Sequence, residues 1–321
     1  MAQRIALVTG GAGFIGSHLC DALLARGISV RVLDDFSTGR MENLDPRCEV
    51  LRADVNDSEA LARGMRGADV VFHLAAQVTI RGSVDRFEAD ARTNLMGTLA
   101  VLATAGRQRV RRLVFASSMA VYADSPDGRP VRETDPQEPI SPYGLSKLAA
   151  ERYVLMVAPR LGVEPVVLRL FNTYGPRQAY TPYVGVITIF VNRLLGNQEL
   201  RIFGDGRQLR DFVHVRDVVQ ANLLAMDTPA VGQVFNVGTG VATSVRQIAE
   251  MLRQAIRPDA RTTYEPGRPE ELRCAVADIT KARRMMGYDP QCRLADGIGE
   301  VIAWCGRTLP PGHPNGPIPP R

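Results

Sequence analysis

Short apolar runs alternate with helix-length stretches through the first half of the chain, and few folds can accept that rhythm. RIALVTG, SVRVLDD, CEVLRAD, DVVFHLAA, RRLVFASS and PVVLRLF read as strands. SHLCDALLARG, DSEALARGMRG, NLMGTLAVLATAGRQ and SPYGLSKLAAERYVLMVA read as helices. Strands apolar on both faces are covered on both faces, and strands separated by helices pair in parallel. The pattern predicts an α/β fold, a doubly wound parallel sheet, over residues 1–171. After about Asn172 prolines and glycines become frequent (YGPRQAYTPYVG, FGDGRQ, YEPGRPEE), which predicts a smaller α/β substrate domain over 172–306. FVHVRDVVQANLLAM and QVFNVGTG, at about 211–240, are expected to return to the first sheet. Residues 307–321 hold the tail LPPGHPNGPIPPR, with six prolines and no apolar periodicity, and are expected to be disordered.

With 321 residues, 45% of them hydrophobic and 23% charged, the chain can bury a large core. The net charge is +5. The arginines are scattered, no long run of like charge occurs and aromatics are 6%, so a nucleic-acid surface is not indicated. A small anionic ligand suits this charge. The five cysteines (Cys20, Cys48, Cys274, Cys292, Cys305) are far apart and odd in number, which predicts free thiols in a reducing, cytoplasmic setting. The four histidines show no ligand spacing, so no metal is expected. MAQRIALVTGG does not read as a signal peptide, and no apolar run reaches about 18 residues, so no membrane span is expected.

VTGGAGFIGSHL places Gly10, Gly13 and Gly16 between the first strand and the first helix. Glycines there permit a tight turn and let a pyrophosphate approach the backbone at a helix N-terminus. The second strand ends at Asp34, 18 residues after Gly16. An acid at that point accepts hydrogen bonds from a ribose 2′-hydroxyl and repels a 2′-phosphate, which favours NAD over NADP. Asp54 and Val55 follow the third strand and are candidates for the adenine edge.

Only two lysines occur, Lys147 and Lys281, against 37 arginines. Ser141 and Pro142 suit the N-cap and first position of a helix, which sets Tyr143 and Lys147 at i and i+4 on one face. A tyrosine needs its phenolate stabilised to act as a base near neutrality, and a compact ammonium supplies that where a planar guanidinium does not. Ser117 and Ser118 end the strand RRLVFASS, some 25 residues upstream. Ligands of doubly wound sheets sit beyond the carboxyl ends of the strands, so Ser118 and Tyr143 can converge there. A Ser–Tyr–Lys trio suits proton and hydride transfer at a secondary alcohol. No G-x-S-x-G surrounds Ser118, which argues against a serine hydrolase.

In its combined motifs the chain resembles the extended short-chain dehydrogenase/reductase family, and within it the UDP-glucose 4-epimerase-like nucleotide-sugar enzymes. TGGAGFIGSHL, VFHLAAQ, NLMGTL, FASSMAVY, YGLSK, RLFNTYGPRQ, FGDGRQLRDFVHV, NVGTG and GRPEELRCAVADITKA carry the resemblance, from residue 4 to about 305. It implies a Rossmann-like NAD domain, a nucleotide-sugar domain, a UDP-hexose substrate and often a homodimer. By position, Tyr143 would be the base, Lys147 its partner and ribose clamp, and Ser118 the second group on the sugar 4-oxygen. Gly10, Gly13, Phe14, Ile15, Gly16, Asp34, Asp35, Asp54, Val55, Leu74, Ala75, Ala76, Asn94 and Ser117 would line the cofactor. Thr79, Ser83, Asn172, Arg210, Arg268, Glu271 and Ala275 would line the nucleotide sugar, with Arg210 and Arg268 on the diphosphate.

Related 4,6-dehydratases place Asp-Glu just after the hydroxyl residue, and decarboxylating relatives a Glu. Met119 and Ala120 stand here and transfer no protons, which leaves oxidation and re-reduction at C4. A small Ala275 suggests room for an N-acetyl group. The segment Tyr180 to Phe190 resembles that of dTDP-rhamnose 4-epimerase-like proteins, which keeps 6-deoxyhexoses open. UDP-glucuronate ranks lower, because such relatives usually have Thr at the place of Asn172. Two rivals remain: a dehydrogenase or reductase with exchangeable cofactor, and a catalytically idle NAD-binding regulator.

Overall fold

Seven parallel strands form the main sheet of the computed structural model, which describes residues 3–125, 128–181, 185–267 and 272–308, apart from the side chain of Arg81. In chain order the first half runs β1 (Ile5–Thr9), α1 (Phe14–Ala25), β2 (Ser29–Asp34), β3 (Glu49–Arg52), α2 (Ser58–Met65), β4 (Val70–His73), α3 (Ile80–Asp85), α4 (Phe87–Ala91), α5 (Gly97–Arg107), β5 (Arg112–Ser118), α6 (Pro142–Val157) and β6 (Glu164–Leu170). The second half runs β7 (Asn172–Tyr174), α7 (Val186–Leu195), β8 (Leu200–Phe203), β9 (Leu209–His214), α8 (Val215–Asp227), β10 (Gln233–Val237), β11 (Ala242–Ser244), α9 (Val245–Ile256), β12 (Thr262–Glu265), β13 (Cys274–Ala275), α10 (Thr280–Met286) and α11 (Leu294–Thr308).

The sheet order is β10-β6-β5-β4-β1-β2-β3. Strand order therefore reverses at β1, whose Thr9 lies opposite Leu33 of β2 on one side and His73 of β4 on the other. That reversal opens a crevice above the carboxyl ends of β1 and β4. The β4 residues Val70, Val71, Phe72 and His73 are all at most 1% exposed, because helices cover both faces. One core lies on the α1 and α8 side of the sheet, and a second on the α2, α5 and α6 side. A third, built on α7, α9 and α11, belongs to the smaller sheets.

Four readings change. The first helix begins at Phe14, not Ser17, so Gly16 lies in its first turn. Of the elements expected to return to the sheet, β10 pairs with β6 and α8 packs on α1, but β9 joins a smaller sheet between β11 and β13. The helix read from Asn94 starts as a π-helical turn at Arg92–Met96 that runs into α5, and the preceding residues 80–91, which carry no clear period, fold into α3 and α4. Of the tail expected to be disordered from 307, Arg307 and Thr308 instead end α11, and residues 309–321 lie outside the described residues. Among the described residues no helix is long and apolar enough to cross a membrane, and no group of three or more His, Cys, Asp or Glu could hold a metal.

Candidate active site

The crevice at the strand reversal is built from backbone. Gly10 takes φ +70°, and a Cβ there would sit 2.7 Å from the Ala75 nitrogen. The loops after β1 and β4, including half-buried Leu74, Ala75 and Ala76, therefore touch. A Cβ at Gly16 would sit 2.2 Å from the Gly10 carbonyl oxygen, so the turn closes only with glycine. Helix α1 starts after Gly13 with no side-chain cap and no acid in its first turn. Its first amide groups, from Phe14 and Ile15 onward, are an anion cradle at the positive end of the helix dipole.

Asp34 closes one wall and is 7% exposed. Its Oδ2 accepts from Ala12 N at 2.9 Å and its Oδ1 from Phe36 N at 2.8 Å. Burial raises this carboxyl's pKa and the two amide bonds oppose that. A carboxylate has about four lone-pair directions, so capacity remains for two hydroxyl donors. Two neighbours escaped the sequence reading. Phe36 is left-handed at φ 60°, with the Arg52 guanidinium 5.4 Å above its ring. A Cβ at Gly39 would come within 2.9 Å of Asp34 Oδ1. The signal available was the glycine five residues after the acid. Asp35 is exposed and bonds Ser37; Asp54 is exposed and bonds Asn56; Val55 is buried beneath Gly97.

Helix α6 delivers the proton-transfer groups. Ser141 caps it by accepting from Gly144 N at 3.1 Å, and Pro142 occupies its first turn. Tyr143 and Lys147 follow one turn apart, 6% and 3% exposed. Lys147 Nζ donates to the Ala116 carbonyl at 2.7 Å and lies 4.9 Å from the centre of the Phe115 ring. An ammonium has three donors, so two stay available. Ser118, at the end of β5, hydrogen-bonds the Tyr143 hydroxyl and accepts from Ala120 N at 3.1 Å. Burial pushes the Tyr143 phenol up to about 12, against the Ser118 bond, and pushes the Lys147 ammonium down to about 8. The pair is therefore not self-sufficient: a phenolate base here needs a further positive charge close by. Lys281 is a different case, since its Nζ sits 5.2 Å from the centre of the Phe235 ring, away from this trio.

Three expected ligand contacts have their side chains engaged inside the protein. Asn94 is 1% exposed; its amide nitrogen donates to Gln77 O and Asp90 Oδ1, and its oxygen accepts from Gln77 N. It fixes the loop after β4. The Ser83 hydroxyl accepts from Tyr143 N at 3.1 Å and donates to Ile80 O, so it seats the helix start. The Ser117 hydroxyl donates to Glu151 Oε2 at 2.9 Å, on the α6 side of the sheet.

On the substrate side, Thr79 caps α3 through Gly82 N and is half-buried. Among the described residues Asn172 has a buried amide nitrogen with no hydrogen-bond partner. Arg210 of β9 lies directly beside Ala275 of β13, and both are under a tenth exposed. Ala275 is also part of the main core, so packing as well as any ligand accounts for its small size. Arg268 and Glu271 lie outside the described residues.

Residues 6–238 match the model of the NAD dependent epimerase/dehydratase family. The chain belongs to this family. A UDP-glucose 4-epimerase of Mycolicibacterium smegmatis is 39% identical over 304 residues, covering 92% of this chain and 96% of that protein. The crystal structure of a Thermotoga maritima UDP-glucose 4-epimerase with UDP-glucose superposes with TM-score 0.91 at 38% identity, over 96% and 100% of the two chains. That of a Thermus thermophilus UDP-glucose 4-epimerase complexed with NAD gives 0.89 at 35% identity, over 95% and 100%. The chain's own residues fit the family's cofactor: a glycine cradle that a single Cβ would fill, an uncapped helix start, an acid with free lone pairs and a lysine with two free donors.

Proposed function

We propose that this protein is an NAD-dependent isomerase that interconverts the C4 epimers of a UDP-hexose, UDP-glucose and UDP-galactose first, through a 4-keto intermediate. The observation that carries the reading is the turn after Ser118. Ser118 touches the Tyr143 hydroxyl, while Met119 and Ala120, buried beside them, hold no ionisable group. Oxidation at C4 has its acid and base; elimination of water or loss of a carboxylate has none there.

Gly10, Gly13, Phe14, Ile15 and Gly16 hold the pyrophosphate, Asp34 a ribose, and Lys147 the second ribose. NAD held by these residues would supply the hydride acceptor and donor for C4, and a positive charge near the Tyr143 phenol. Tyr143 then takes the proton from the C4 hydroxyl and gives it back, Ser118 holds that oxygen, and no net proton or electron leaves the site. Arg210 and Arg268 hold the diphosphate, Asn172 the diphosphate or sugar, and Glu271 the nucleoside ribose. Anchoring the nucleotide while leaving the hexose loosely held lets the keto sugar present either face. The small Ala275 extends the range to N-acetyl hexosamines.

Proton NMR of the purified protein with UDP-galactose and, separately, UDP-N-acetylgalactosamine, with no cofactor added, tests this. The gluco epimer is expected to appear. Turnover only with added NAD(H), and net oxidation, would indicate the exchangeable-cofactor dehydrogenase. Inertness toward both, with or without NAD, and activity on a dTDP-6-deoxyhexose or UDP-glucuronate would move the substrate.

The same reading makes the protein a cytoplasmic homodimer. Leu145, Tyr153 and Met156 line one exposed face of α6 and are 60%, 45% and 60% exposed, beside Met96 at the start of α5. A second copy would cover this face. Sedimentation velocity is expected to give twice the chain mass, and Met156→Arg to reduce it; a monomeric wild type would contradict the dimer.

A further inference from the structure

We propose that Asp90 is a positioning residue for proton transfer, its buried carboxylate setting the charge state of the Tyr143–Lys147 pair from behind. Asp90 is the next-to-last residue of α4, yet it is only 3% exposed. Ser146 Oγ donates to its Oδ2 at 2.6 Å, and Asn94 Nδ2 donates to its Oδ1 at 2.9 Å. Ser146 is the residue before Lys147, and its hydroxyl also bonds the Tyr143 carbonyl at 3.0 Å. Two fixed donors therefore lock a carboxylate against the turn of α6 that carries both reactive groups.

A buried carboxylate is costly; among the described residues no cation pairs with it directly, although Arg86 lines the same small cavity, and the cation whose field reaches it is Lys147. The other charged groups around the pair contribute little. His73 of β4 is fully buried between the hydroxyls of Thr9 and Thr98, and burial drives it down to about 3, so it is neutral. Glu151, one turn along α6, is neutralised by Arg169 of β6. Phe115 and Ala116 of β5 and Ser118 present a ring, a carbonyl and a hydroxyl, none of them charged. Among the described residues Asp90 is the one negative charge acting on both groups, and its sign acts the same way on each. It favours the ammonium of Lys147 and opposes the phenolate of Tyr143. Burial alone drives Lys147 toward the neutral amine, which has lost one donor; Asp90 keeps the clamp charged at a cost to the base.

This inference rests on the reading of Tyr143 and Lys147 as the proton-transferring pair, and the experiment separates the two. The pH profile of kcat is measured with UDP-galactose and saturating NAD for wild type, Asp90→Asn, Asp90→Glu and Tyr143→Phe. The acid limb reports Tyr143 ionising and the alkaline limb Lys147 losing its proton. Removing one negative charge lowers both, so the whole bell in Asp90→Asn is expected to move to lower pH by about one unit. Asp90→Glu keeps the charge and is expected to keep both limbs. Asp90→Ser retains an acceptor for Asn94 and replaces the amide variant if that does not fold. Unmoved limbs with a uniformly lower kcat, or limbs that move in opposite directions, would overturn the inference and leave the pair's role intact. Full activity in Tyr143→Phe, or no turnover of UDP-galactose by wild type, would overturn the reading beneath it.

Discussion

At position 147 a lysine stands in a chain that otherwise uses arginine almost everywhere. The slot explains why. The Nζ is buried, has one carbonyl acceptor at 2.7 Å and rests over the Phe115 ring. A point charge with rotatable donors fits there; a wider planar fork would need acceptors the strand end does not offer. Lys147→Arg is therefore expected to fold and to lose at least about 100-fold in kcat with NAD saturating, in line with the usual worth of a positioned acid–base group. Turnover within twofold of wild type would show that any cation suffices. This residue was legible in the sequence through its spacing from Tyr143. Asp90 was not, because an acid in a stretch without clear period reads as surface until the fold buries it.

Helix α6 places Tyr143, Lys147 and Glu151 at successive turns along one stripe, from ligand crevice to sheet interior. Glu151 is completely buried and pairs with Arg169, both of whose faces are occupied: Glu151 on one side, the Tyr122 hydroxyl at 2.7 Å on the other. Tyr122 in turn donates to Asn236 Oδ1 of β10 at 2.6 Å, so the network ties α6, β6 and β10 together. Glu151→Gln leaves Arg169 charged and uncompensated. It is expected to cost about 3–5 kcal/mol in denaturant unfolding. A loss under about 1 kcal/mol would mean that the network is dispensable. The helix start was legible from Ser-Pro, since capping is local chemistry. Helices α3 and α4 were not legible, because two short helices and a π-helical turn break the 3.6-residue period that marks a longer one.

At the scale of the molecule, the doubly wound sheet was legible because apolar strands and intervening helices leave little choice of layer. The fate of β9 was not. Its apolar run suits either sheet, and pairing with β11 and β13 follows from contacts distant in sequence, such as the Asp211 carboxylate that accepts from Thr239, Gly240 and Ala277. That arrangement puts Arg210 in the smaller sheet, beside Ala275 of β13. The central claim is that C4 is oxidised and reduced inside one closed site. It is tested most directly by running the epimerisation of UDP-galactose to equilibrium in D2O and reading the C4 hydrogen by NMR and mass. The account predicts that the UDP-glucose formed keeps protium at C4, with no gain in mass. Deuterium at C4 would contradict it, because the carbon-bound hydrogen would then have exchanged with solvent as a proton.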